Sequence, residues 1–170
     1  MQRPSVNEYN PYFQRYIDLV PHEDFLVLFN GNKEKTSRFF GSIPAAKHDH
    51  RYAEGKWTIK EVLMHIIDTE RVMAYRAFVA ARADDITMLH PMDENKYAAN
   101  AAVTNRSLAS IITEFDAVRN ATLTIYDHLT DAQSRFMARG ETHPFTAGAL
   151  GYIMIGHIEH HINIINERYL

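Results

Sequence analysis

Apolar residues recur at helical spacing in four stretches of the chain, and no run reads as a credible strand. From Glu23 to about Phe40, the residues Phe25, Leu28, Phe29, Asn32, Thr36, Phe39 and Phe40 follow helical spacing, with Gly31 a weak point. The second stretch has the clearest start. In "TIKE" (58–61) Thr58 can cap a backbone N–H while Glu61 reaches back to the cap, and the helix predicted from it runs to about Ala83. A third carries Leu108, Ile111, Ile112, Phe115, Val118, Ile125 and Leu129 on one broad face. A fourth runs from about Thr146 to the end; Gly148, Gly151 and Gly156 should weaken it unless it approaches a neighbour closely.

Between these stretches, residues 1–20 form an aromatic lead in which Pro11, with Pro21 just beyond it, should break regular structure. Residues 41–56 read as a loop. Residues 84–104 lack steady periodicity and form a long connection, of the kind that in compact domains is usually functional or mobile. Four amphipathic helices without strands predict a single all-α domain over 1–170, a four-helix bundle. Its long connections allow neighbouring helices to run parallel.

Composition narrows the function. The 170 residues carry a formal net charge of −3, against the basic field that a general nucleic-acid binder needs. There is no Cys, so disulfides, thiolate metal ligands and a protein thiol nucleophile are excluded, and any thiol chemistry would use a cosubstrate's thiol. No basic-then-apolar leader opens the chain and no long uncharged apolar run crosses it. The expectation is a cytoplasmic protein with a small-molecule substrate and neither a nucleic-acid nor a membrane partner. Exposed apolar helix faces would suit a homodimer.

The histidines carry the chemistry. At 100° per residue His157 and His161 lie about 40° apart around the last helix, so two imidazoles can point at one ion. Ile153, Ile164 and Ile165 lie on or beside that face, while Glu159, Asn163 and Asn166 lie on the other side; His160 is on the opposite flank of His157. The alternative is a buried pair satisfied by hydrogen bonds within the core. His65 stands in the apolar stretch "VLMHIID", where an unpaired imidazole is unfavourable. With His157 and His161 it would complete a three-His set that leaves coordination positions open, the arrangement of a catalytic site. His48 and His50 sit in a polar loop, and His22, His90, His128 and His143 lie near segment ends without a partner at ligand spacing.

The W-T-x-x-E-x-x-x-H pattern of Trp57–His65, the stretches "DENKYAANA" (93–101) and "EFDAVRNATLTI" (114–125), and the terminal G-H-x-x-x-H resemble the DinB/YfiT superfamily of metal-dependent four-helix proteins. The resemblance covers most of the chain from Trp57 onward. It implies an up-down-down-up bundle with the long crossover between helices two and three, and a divalent metal, often nickel or zinc, on His65, His157 and His161. It also implies transfer reactions on low-molecular-weight thiols, as in bacillithiol S-transferases and a mycothiol-dependent isomerase. A bound divalent cation makes a thiol ionise near neutral pH, and the thiolate is the nucleophile.

Near that site, Asp68 could orient an imidazole or move a proton, or pair with Arg71 or Arg76. Arg76 could bind an anionic group of the substrate, or join the same internal salt bridge. Asp93, Glu94 and Tyr97 are candidates to line a pocket, whereas Glu70 and Arg71 point away from the His65 face and read as structural. The expected function is metal-assisted transfer of a small thiol to an electrophile. Metal-assisted hydrolysis and a non-catalytic metal-binding bundle are the alternatives.

Overall fold

A computed structural model describes all residues, 1–170. The aromatic lead holds two 3-10 turns, Val6–Glu8 and Pro11–Phe13, the second running into α1 (Gln14–Ile17). The long helices are α2 (Phe25–Gly41), α3 (Ile59–Ala81), α5 (Leu108–Tyr126) and α7 (Ala147–Arg168); α4 (Glu94–Asn100) and α6 (Asp131–Ser134) are short. Each long helix starts on a side-chain cap: Asp24, Thr58, Ser107 and Thr146 accept from the N–H groups of Val27, Glu61, Ser110 and Ala149. The Thr58–Glu61 capping box is present as the sequence predicts.

Named contacts give the order and direction of the helices. Lys60 reaches the Thr104 carbonyl, Arg71 bonds Glu114 and Glu70 bonds Arg119, so α3 and α5 run parallel. The pairs Trp57–Tyr169 and His65–His157 make α3 and α7 antiparallel. Phe25 beside Tyr152, and Asn32 bonded to Glu159, make α2 parallel to α7, while Phe25–Tyr126 and Ser37–Asp116 set it antiparallel to α5. The bundle is therefore up-down-down-up, with α2 diagonal to α3. A helix that follows a parallel neighbour needs a connection as long as the bundle, which is the physical reason for the 26-residue stretch between α3 and α5 (82–107).

Five details differ from the expectations. Pro11 starts a turn instead of breaking one, because its fixed φ suits a first helical position that needs no N–H. The crossover contains α4, capped by Asp93. α5 ends at Tyr126, short of Leu129, and α3 stops at Ala81, where Ala83 takes a positive φ of 52°. Gly31 leaves α2 unbroken; a Cβ there would meet open space.

Two glycines of α7 serve close approach. An ideal Cβ on Gly156 would lie 1.9 Å from the Tyr16 carbonyl oxygen, and one on Gly151 would lie 2.6 Å from the Phe25 ring. Gly156 thus lets the aromatic lead lie directly on the α7 backbone and brings Tyr16 against His157, ring centroids 5.3 Å apart.

The core divides into two apolar clusters, one built on Phe25, Phe29, Met73, Tyr126 and Leu150, the other on Phe40, Leu63, Ile67, Phe115 and Ile165. Between them every long helix contributes a buried polar residue: Asn32, Glu70, Arg119 and His157. Arg119 gives Glu70 two parallel bonds of 2.8 Å, donates to Asn32 Oδ1 at 3.0 Å, and lies over the Phe29 ring. Asn32 passes the chain on to Glu159, which Lys35 holds at the surface. A full set of partners is what makes a buried guanidinium tolerable at this depth.

Candidate metal centre

The site grows from one face of α3 and one face of α7. Nε2 of His157 lies 3.0 Å from Nε2 of His65 across the helix interface and 3.0 Å from Nε2 of His161 one turn along α7. One donor atom from each of the three falls within 4.8 Å of the others. His65 and His157 are buried and His161 is half-buried. His160 packs its ring on Tyr16 and His161 and contributes no nitrogen to the cluster.

Burial lowers the His65 pKa to about 4. It holds His157 and His161 well below the ordinary range, with the neighbouring imidazoles adding to the effect. All three rings are therefore neutral near pH 7, the protonation state that leaves nitrogen lone pairs free for a cation.

The donor set fits a divalent metal. Two neutral imidazoles 3.0 Å apart can share a proton, but His157 Nε2 has such a neighbour on each side. A single ring nitrogen carries one hydrogen or one lone pair, so it cannot serve two partners in line. One cation at the point of convergence satisfies all three lone pairs, and three imidazoles leave coordination positions for a substrate. Trp57 lies over His65 with ring centroids 4.6 Å apart and Tyr16 meets His157 edge-on, so packing fixes two of the rings. Nδ1 of His65 has no hydrogen-bond partner, so this ring lacks the acceptor that commonly orients a ligating imidazole.

A cavity of about 300 Å³ opens beside the cluster, with His65 and His157 in its wall. The His65, Thr69, Met73 and Arg76 stripe of α3 forms one side. The lead contributes Phe13 and Tyr16, the crossover Leu89 and Glu94, and the α6–α7 connection Phe145. Leu89 ties the last two together, its N–H donating to the Arg139 carbonyl at 2.9 Å and its own carbonyl accepting from Glu141 N–H at 3.1 Å.

The other candidates separate. Arg76 lines the cavity, donates to the His90 carbonyl and forms no salt bridge. Asp68 bonds Arg71 at 3.3 Å and lies in a different, shallow depression together with Tyr97. Burial raises its carboxyl pKa, against the lowering by Arg71. Asp93 caps α4, and Glu94 reaches the cavity. His90 pairs with Glu141, His143 with Asn10, and His48 with the Ile43 carbonyl. Sequence reasoning missed Tyr16 and the Arg119 network. Arg119 left a signal, a charge four residues from both Phe115 and Leu123 on an apolar face. Tyr16 left none.

No helix is long and apolar enough to cross a membrane. A comparison with curated protein sequences finds no match. Among solved structures, YfiT from Bacillus subtilis, described as a probable metal-dependent hydrolase with an unusual four-helix bundle topology, aligns with a TM-score of 0.75 at 16% identity, over 95% of this chain and 92% of that one. The mycothiol-dependent maleylpyruvate isomerase aligns with a TM-score of 0.67 at 12% identity, over 86% of this chain and 61% of that one. At these identities the likeness shows the fold. The DinB superfamily profile matches residues 28–165, which include all four long helices but the ends of α2 and α7, and the chain belongs to the DinB superfamily.

Proposed function

We propose that the chain is a metal-dependent enzyme, with His65, His157 and His161 holding a divalent cation, nickel or zinc by the family resemblance. Its reaction is transfer of a low-molecular-weight thiol to a small-molecule electrophile. The observation that carries the metal reading is the convergence of three neutral imidazole nitrogens, 3.0 Å from one to the next, at the wall of a cavity of about 300 Å³. Such a cavity, largely apolar with a few convergent polar groups, has the character of a small-molecule site.

A cation there would supply Lewis acidity and favour the ionised form of a thiol or of water. The protein's part is to position and enclose. Trp57 and Tyr16 fix two of the imidazoles, and Phe145, Met73, Met154 and Ile153 offer an apolar bed for an electrophile. Thr69 lines the same wall, and its Oγ1, buried without a protein partner, is a polar group that a small rotation of the side chain would offer to a bound reactant. The chain has no thiol of its own, so the thiol nucleophile arrives from outside.

Hydrolysis is the second reading, favoured by the likeness to a probable metal-dependent hydrolase. Asp68, held by Arg71 outside the cavity, takes no part in either version of the reaction. The test is metal analysis of untagged protein, followed by turnover of an activated electrophile such as 1-chloro-2,4-dinitrobenzene or a nitrophenyl ester, with and without added thiols. Thiol-dependent, chelator-sensitive product supports transfer. Thiol-independent, chelator-sensitive product supports hydrolysis, and the absence of bound metal after reconstitution overturns both.

A further inference from the structure

Arg76 is buried, with 6% of its surface exposed, yet no carboxylate answers its charge. Its only oxygen partner is the His90 backbone carbonyl; Nη1 touches the Met73 sulfur at 4.0 Å and the guanidinium lies 5.8 Å from the Phe145 ring centre. The other buried arginine, Arg119, has a bidentate carboxylate and an amide oxygen. A desolvated guanidinium with most of its five N–H donors unclaimed is unfavourable unless something anionic completes it. Arg76 faces the cavity, so the missing partner can come from a ligand.

The position of that partner is set by α3. His65, Thr69, Met73 and Arg76 form one stripe along the helix, and the eleven residue steps from His65 to Arg76 span about 16 Å of helix axis. Side chains lean toward the helix N-terminus, which draws the guanidinium back toward the imidazoles without closing the gap. A ligand reaching both ends is therefore elongated, and its middle lies against Met73, Met154, Ile153 and Phe145. Glu94 and Glu141 also line the cavity, neither within ion-pair distance of Arg76, and they disfavour a second negative charge.

We infer that the cavity takes an elongated amphipathic monocarboxylate, its carboxylate paired with Arg76 and its far end presented to His65 and His157. This deepens the proposed function by naming its substrate class, and it rests on the reading of the cavity as a substrate site. Planar, two-point recognition of a carboxylate is what guanidinium offers and ammonium does not.

Calorimetric titration of 4-phenylbutyrate and octanoate, each beside its uncharged amide, tests the assignment on the full chain as purified and after metal stripping. The acids should bind at least tenfold more tightly than the amides in both preparations. Arg76→Met should abolish that preference, and Arg76→Lys should keep part of it. Circular dichroism of each variant shows whether the fold is retained, and an Asn10→Ala variant, altered at the same cavity with Arg76 intact, should keep the preference. Equal binding of acid and amide by the wild type, or a preference that survives Arg76→Met, overturns the inference. Cobalt titration of the same proteins separates it from the metal reading. Full cobalt binding without a carboxylate preference leaves the metal site standing and this proposal lost, and the reverse pattern does the opposite.

Discussion

Nε2 of His65 and Nε2 of His157 lie 3.0 Å apart across the α3–α7 interface, although the residues are 92 positions apart in the chain. Two helices are thus joined at mid-bundle by groups that a cation would bind and that protonation of both rings would drive apart. Removing His65 breaks the set while leaving the His157–His161 pair on one helix. His65→Ala should bind nickel or zinc far more weakly than the wild type. In thermal melts with metal at a hundredfold excess over the wild-type Kd, the wild type should gain about 2.7 kcal/mol over its metal-free form. The variant should gain little. Equal metal-induced shifts in the two proteins would remove His65 from the site.

Metal-free protein should lose stability in weak acid because of the same rings. Burial lowers the His65 pKa from 6.5 to about 4, so the unfolded chain takes up a proton that the folded chain refuses. The contribution is full above pH 6.5, falls as pH drops from there to about 4, and is constant below. Its full span is roughly 3 kcal/mol. His157 and His161 act in the same direction. Urea midpoints of metal-free wild type and His65→Leu, compared at pH 7.5 and 4.5, isolate the effect. The wild type should lose more stability than the variant over that interval, and parallel losses would contradict the buried neutral state.

Much of this was legible along the chain. The Thr58 cap, the periodicity of α3 and the i, i+4 spacing of His157 and His161 are local, and local rules place them without knowledge of partners. The facing of His65 and His157 followed only once both were assigned to apolar faces. What local rules could not give was which polar residues meet. Of the two arginines open to Asp68, Arg71 takes it and Arg76 reaches the His90 carbonyl, since α3 carries Asp68 and Arg76 on different sides and the crossover folds over only one of them. The docking of α1 was equally hidden. It depends on a gap that Gly156 leaves in a helix 140 residues away from Tyr16.

That gap yields a paired prediction. In Gly156→Ala the new methyl meets the Tyr16 backbone, which cannot swing aside as a side chain would. The variant should lose roughly 1–3 kcal/mol, as overpacked sites do. Protease digestion should release the lead more readily, because Tyr16 would no longer rest on His157. Gly31→Ala, in open space on α2, should instead gain up to about 1 kcal/mol from helix propensity. A Gly156→Ala protein as stable and as protease-resistant as the wild type would show that the lead does not lie where Tyr16 is placed.

The buried layer makes the sharpest stability claim. Glu70 and Arg119 are almost wholly inaccessible and hold each other by two bonds of 2.8 Å, with Asn32 completing the arginine. Glu70→Gln leaves the guanidinium charge buried without a counter-ion, and Arg119→Met strands the carboxylate in the same way. Each should lose roughly 3–5 kcal/mol, the range for breaking one side of a buried pair. The double variant Glu70→Gln/Arg119→Met removes both charges together, so its loss should fall well short of the sum of the two. Chemical denaturation of the four proteins closes a double-mutant cycle, and the coupling energy should exceed about 1 kcal/mol. Additive losses would mean that the two residues stabilise the bundle independently. The polar layer would then not be what holds α3 and α5 in register beside the histidines.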